Sequence, residues 1–442
     1  MKNWINNAIF YHIYPLGFCG APSKNDYYSQ PEERLYKIID WVDHFKKLGI
    51  NALYLGPVFE SVEHGYDTTN YFEVDRRLGT NETLKKVIDE LHKNNIKVIL
   101  DGVFNHVGRD FFAFKDLQQN GEFSMFRNWF TGIDFSQRSP FGDPFSYETW
   151  DGNYNLVKLN LDYSYVEEHL FDATKMWIHE FDIDGLRLDA AESLTPNFMK
   201  NLSKFTKSMK PNFWLMGEVV KGDYNNWANP ESLHSTTNYE CYKGLYSSFN
   251  DNNMHEIAYS IRRQSGENGM YKNLKLYNFL DNHDVNRIAT SLHQRKHLYP
   301  LHIMFFTMPG IPSIYYGSEW GIGGEKGGHN DMQLRPNLDL DSMYRKSDGS
   351  LIKTISKLSN IRKSSDALKN GDYNEMKVES DFFSFSRKTE TQNLLILINI
   401  SDKEKFFEFR SNSSRDLLNN DESFDCNSIP VPASWGRILE VK

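Results

Sequence analysis

Eight short runs rich in branched apolar residues recur along this chain, at 9–13, 50–55, 97–104, 185–189, 213–219, about 237–240, 276–280 and 311–316. Between several of them, at 34–48, 81–94 and 165–180, apolar residues return every three or four positions, which is the period of a helix buried on one face. Strands that alternate with helices of this length form parallel βα units, because two parallel strands need a long crossover between them. Eight such units predict an α/β fold, a closed (β/α)8 TIM barrel, which takes about 250 residues. The chain has 442 residues, so further parts are expected.

Two stretches depart from the alternation. Residues 107–163, between the third and fourth runs, are rich in Phe, Gly, Asp and Ser and too long for a simple connection, so they read as an inserted subdomain. Residues 321–347 are glycine-rich and irregular, and 349–362 read as a last helix. Beyond about 366 the period falls to two, at 382–387, 393–400, 405–409 and 435–441, which predicts a C-terminal antiparallel β-sandwich with exposed loops across 411–428. The expected division is 1–106 and 164–365 for the barrel, 107–163 for the insertion and 366–442 for the β domain.

Charge narrows the partners. With 59 acidic against 50 basic residues the net charge is -9 and no basic stripe occurs, so a nucleic-acid partner is not expected and a neutral ligand fits better. No apolar stretch of 18 residues occurs to cross a membrane, and the first residues lack the apolar core of a secretory leader. The three cysteines, Cys19, Cys241 and Cys426, are scattered without metal-ligand spacing, so neither a disulfide framework nor a metal site is expected and the cytoplasm is the expected location.

The chemistry sits where four runs end: DGVFNH at 101–106, DGLRLDAAE at 184–192, MGEVV at 216–220 and FLDNHD at 279–284. These bring Asp189, Glu218 and Asp284 to strand tips, the face of a barrel that holds active sites. Asp189 lies two residues after Arg187, so alternation turns both side chains the same way. The pair is either a structural ion pair or a carboxylate kept charged for attack. Glu218 ends an apolar run, where lost hydration raises a carboxyl's pKa as a proton donor requires; Asp284 is either a buried polar cap or a third acid. Charged groups rarely occupy buried barrel positions without partner or purpose, and a pair of carboxyls is what glycosidic cleavage uses. His106 is either a core histidine or a donor to a sugar hydroxyl, and HGYD at 64–67 sets an aromatic ring beside a carboxylate.

These four segments, with GIPSIYYGSE at 310–319 and LVKLN at 156–160, resemble in content and order the signature regions of the α-amylase family of retaining glycoside hydrolases, over nearly the whole chain. The wording is similar to the cyclomaltodextrinase, neopullulanase and oligosaccharide-hydrolase branch, without its N-terminal β domain. The resemblance implies that Asp189 is the nucleophile, Glu218 the acid/base and Asp284 the stabiliser of an oxocarbenium-like transition state. It further implies that Arg187, His106 and His283 contact the nucleophile and sugar, that Tyr66 stacks on the sugar, and that Asp67 and Arg335 bind it. Ala190 resembles enzymes that prefer α-1,4 bonds, and Glu192-Ser193 departs from the Lys-His pair many members carry. No cofactor is implied for the chemistry. A structural calcium is the open possibility, with Asn105 at a position that often binds it. The expected activity is hydrolysis of malto-oligosaccharides and α-glucans by double displacement. Transglycosylation with the same residues is the alternative, a non-catalytic amylase-like scaffold the other, and the oligomeric state is left open.

Overall fold

The structure is a computed structural model and describes residues 4–327, 331–409, 413–424 and 428–441, so Cys426 lies outside the described residues. Eight parallel strands form one sheet: Phe10–Ile13, Ala52–Leu55, Lys97–Gly102, Gly185–Leu188, Trp214–Gly217, Ser235–Thr236, Tyr277–Phe279 and Ile311–Tyr315. Numbered in chain order, they run sixth, fifth, fourth, third, second, first, eighth, seventh across the sheet. A parallel bridge from Thr237 to Tyr277, with the Asn238 amide donating to the Tyr277 carbonyl at 2.9 Å, joins the two ends into a TIM barrel.

The helices follow from local sequence. Asn81–Lys93 starts at a capping box, in which the Thr83 amide donates to the Thr80 hydroxyl and the Thr80 amide to the Thr83 hydroxyl. Glu82 in its first turn and His92 and Lys93 in its last complement the helix dipole. Ser164–Phe181 buries Val166, Leu170, Ala173, Trp177 and Phe181 on one stripe, and the Trp177 ring stacks on Phe59 at 4.3 Å.

Three expectations need correction. The sixth strand is only Ser235–Thr236, because the Asn238 side chain accepts from the Cys241 amide and starts a helix at Tyr239, within the run expected to be extended. Residues 34–48 form not one helix but Arg34–Tyr36, Lys37–Asp40 and Val42–Leu48, broken where Trp41 turns inward against Phe18, ring centres 4.7 Å apart. Residues expected as loops across 411–428 contain the strands Ser414–Asp416 and Ser423–Phe424; they form because buried Asp416 binds Arg437 at 2.8 Å. Of that stretch, 411, 412 and 425–427 lie outside the described residues.

After the third strand, His106–Gly108, Thr149–Trp150 and Asn153–Lys158 make a small antiparallel sheet standing over the barrel mouth. At the C-terminal end a six-stranded antiparallel sheet and the pair Lys405–Glu408 with Ser428–Val431 share an apolar layer that includes Phe382, Leu397, Phe407 and Ile429. A buried arginine fastens this part to the barrel: Arg387 donates to the Thr307 carbonyl at 2.8 Å, at the end of helix Leu298–Thr307. Among the described residues no helix is long and apolar enough to cross a membrane.

Candidate active site

Strands three, four and five end side by side, and their register builds the site. Asp101 and Arg187 are direct partners across the third and fourth strands, so their side chains emerge together inside the barrel. Asp189 leaves the fourth strand immediately after its end, and its amide donates to the Gly102 carbonyl. Ala190 then takes a left-handed conformation, φ 45° and ψ 44°, which aims its amide at Glu218 Oε2, 3.0 Å away. A strained non-glycine backbone at this point is the kind of cost that folds retain at working sites.

One guanidinium gathers three carboxylates. Arg187 Nη1 donates to Asp101 and Asp189 at 2.8 Å each, and Nη2 lies 2.8 Å from Glu218 Oε1. Burial disfavours charge on Asp189; the guanidinium opposes that, while Glu218 and Asp101 reinforce it, and the Asp189 carboxyl is held well above its ordinary range. The sequence reading expected the arginine alone to keep this group charged. Three carboxylates to one cation reverse the balance.

Asp284 sits in the opposite environment. Burial again opposes its charge, but His283 Nε2 at 2.9 Å and Arg335 Nη2 at 3.0 Å outweigh it, and the carboxyl is held far below the usual range. His283 Nε2 also meets the Tyr66 hydroxyl at 2.5 Å, and that hydroxyl reaches Asp101 Oδ2 at 3.1 Å. A continuous polar chain therefore runs from Asp284 through His283, Tyr66 and Asp101 to Arg187.

Asp189, Glu218 and Asp284 all face one cavity of about 1140 Å³, with Tyr66, His106 and Arg335 on its wall. His106 is neutral there, its pKa pushed down to about 3 by burial and by nearby His64. Its Nδ1 accepts from the Asn105 amide at 3.2 Å, so Nε2 carries the ring hydrogen, 3.9 Å from Asp189. Arg187 and His283 stand behind the carboxylates instead of on the wall. Asp67 also lies below it, accepting from the Glu63 amide at 2.9 Å.

Residues 13–348 match the family model for the α-amylase catalytic domain. The chain belongs to the α-amylase family. It is thereby a glycoside hydrolase, on the fold that family uses. A cyclomaltodextrinase of a Bacillus species is 31% identical over 423 residues, covering 90% of this chain and 73% of that one. Among solved structures, a debranching enzyme of Nostoc punctiforme is 30% identical with TM-score 0.82 over 99% of both chains. A cyclomaltodextrinase superposes with TM-score 0.88 at 26% identity, over 99% of this chain and 78% of that one.

Sequence reasoning passed over Asp101, although it heads the DGVFNH segment, and over Tyr54, whose hydroxyl donates to Asp101 at 2.7 Å. Their signal is register: Tyr54 pairs with Ile99, two residues before Asp101 on the neighbouring strand. Glu192, on the cavity wall, accepts from the Val220 and Lys221 amides and so fastens the loop that follows Glu218.

The structural calcium left open at Asn105 needs six to eight oxygens. Asn105 offers one, a buried Oδ1 without a partner, and among the described residues no group of three or more His, Cys, Asp or Glu side chains converges to hold a metal. The residues do not fit that ion.

Proposed function

We propose that this protein hydrolyses α-glucosidic bonds of malto-oligosaccharides with retention, through a covalent intermediate on Asp189. The observation that carries the reading is the Arg187 guanidinium holding Asp189 and Glu218 together while Asp284 stays fully charged beside them. Retention requires two carboxyls about 5–5.5 Å apart, one attacking and one donating a proton.

In the first step the Asp189 carboxylate bonds to the anomeric carbon as Glu218 gives its proton to the glycosidic oxygen. The carbon–oxygen bond breaks and the shortened chain departs. In the second step a water loses a proton to the Glu218 carboxylate and attacks the same carbon, which frees Asp189. The charge on Asp284 stabilises the oxocarbenium-like transition state of both steps. The Arg187 guanidinium favours the charge on Asp189 that the attack requires. His106 Nε2 and Arg335 donate to the sugar hydroxyls, and Tyr66 offers its ring to a pyranose face.

The cyclomaltodextrinase relative supports malto-oligosaccharides as the substrate class. The resemblance of Ala190 to the residue at this position in enzymes that prefer α-1,4 bonds supports that linkage. A second reading, transfer to a sugar acceptor, is favoured by Val220, which exposes an apolar face on the cavity wall just after Glu218.

Asp189→Asn and Glu218→Gln test the reading. Both are expected to keep the native unfolding midpoint and to lose several orders of magnitude in maltotetraose cleavage, since positioned acid–base catalysis alone contributes roughly 10²–10⁴. Native-rate cleavage by either variant refutes the assignment.

A further inference from the structure

Glu218, Glu192 and Val220 line the cavity, as do Arg335, Tyr14, His64 and Glu63. Direct contacts lead from Asp284 into the second group: Asp284 to Arg335 at 3.0 Å, the Arg335 guanidinium over the Tyr14 ring at 4.6 Å, and the Tyr14 hydroxyl to the His64 carbonyl at 2.7 Å. On the proposed function, the proton donor marks the leaving-group side, so the arm beyond Asp284 holds the non-reducing part of the substrate.

Three segments wall that arm: 14–24 after the first strand, 63–66 after the second and 331–337 after the eighth. The first and third meet without a gap. A Cβ on Gly17 would fall 2.1 Å from the Arg335 carbonyl oxygen, and one on Gly20 2.3 Å from Asn337 Nδ2, so no sugar passes between them. The first and second are tied from below by Arg77, which is buried and donates to the carbonyls of Pro22, Ser23 and Glu63 at 3.2, 3.3 and 2.7 Å. Its own position is fixed by Asp75 Oδ2 at 2.6 Å. Above this tie, Lys24 Nζ from the first segment meets Glu63 Oε1 from the second at 3.4 Å, and both side chains line the cavity.

We propose that the Lys24–Glu63 pair is the end wall of the glycone arm, and that it makes the enzyme remove short units of fixed length from the non-reducing ends of chains. Neither residue is near the reacting atoms. The pair is exposed, 70% for Lys24 and 52% for Glu63, so its contribution to folding is small. Its effect is on which substrates fit: the buried Arg77 holds the two backbones, and the pair across their tips fills the notch a longer chain needs.

The test uses maltohexaose labelled at its reducing end, digested briefly and resolved by chromatography. Native enzyme is expected to release unlabelled products of one short length. Lys24→Ala with Glu63→Ala is expected to raise the share of longer unlabelled products at least tenfold, at an unchanged unfolding midpoint. Lys24→Glu, which sets two carboxylates together, is expected to do the same. The exchange of both, Lys24→Glu with Glu63→Lys, is expected to restore the native pattern. Mixed lengths from the native enzyme, or one pattern shared by all four proteins, overturns the inference while leaving the proposed function standing. Failure of the native enzyme to cleave any α-glucan overturns both.

Discussion

Asp101→Asn isolates the electrostatics of the site, because it removes one of the three carboxylates on Arg187 and keeps the shape. Asp101 accepts from Arg187 at 2.8 Å, Tyr54 at 2.7 Å and Tyr66 at 3.1 Å. An asparagine can turn its oxygen to the guanidinium and its amide to the two hydroxyls, so most of the packing survives. What changes is charge. Two like charges about 5 Å apart repel by about 3 kcal/mol at an effective dielectric constant of about 20. Part of the relief goes to Arg187, and the rest makes the Asp189 carboxyl easier to ionise. The sign is fixed by the structure: Asp101 raises the Asp189 carboxyl, so its removal lowers that carboxyl. The acid limb of the kcat/KM profile, which reports charging of the nucleophile, moves to lower pH. The assay is the pH dependence of kcat/KM on a chromogenic maltoside, native against variant. An acid limb that stays in place, or moves up, refutes this charge balance.

Two further outcomes concern stability. Arg387→Met leaves the Thr307 and Gly371 carbonyls without their donor, and is expected to cost about 1–3 kcal/mol in urea unfolding; an unchanged midpoint contradicts its role in fastening the β domain. Thr80→Ala removes the cap of helix Asn81–Lys93 and is expected to cost about 1 kcal/mol with unchanged activity; a loss of activity at equal stability tells against a purely structural cap.

The barrel was legible where a strand carries its own apolar signal, as at Leu186–Leu188, followed by Asp189, and Trp214–Met216, followed after Gly217 by Glu218. It was not legible at Ser235–Thr236, two polar residues that are strand only because their neighbours supply the hydrogen bonds. Trp41 shows the converse, a helical period interrupted because an indole gains more from burial against Phe18 than the turn loses. At the site, the convergence of Asp189, Glu218 and Asp284 could be read from three strand ends. The ionisation of Asp189 could not, since it depends on Asp101, whose link to Arg187, 86 residues away in sequence, is a matter of register between strands. Arg77 was silent for the same reason: its partners at Pro22, Ser23 and Glu63 are backbone carbonyls, and no side-chain pattern records them.

The central claim, that Asp189 attacks the anomeric carbon, is tested most directly by trapping its product. In Glu218→Gln, α-maltosyl fluoride has a leaving group that needs no proton donor, while the second step lacks its base, so the glycosyl-enzyme accumulates. Mass spectrometry of the digested variant is expected to find a single maltosyl adduct, on the peptide containing Asp189 and at that residue. An adduct on any other side chain, or release of the β-anomer with no adduct, contradicts the account.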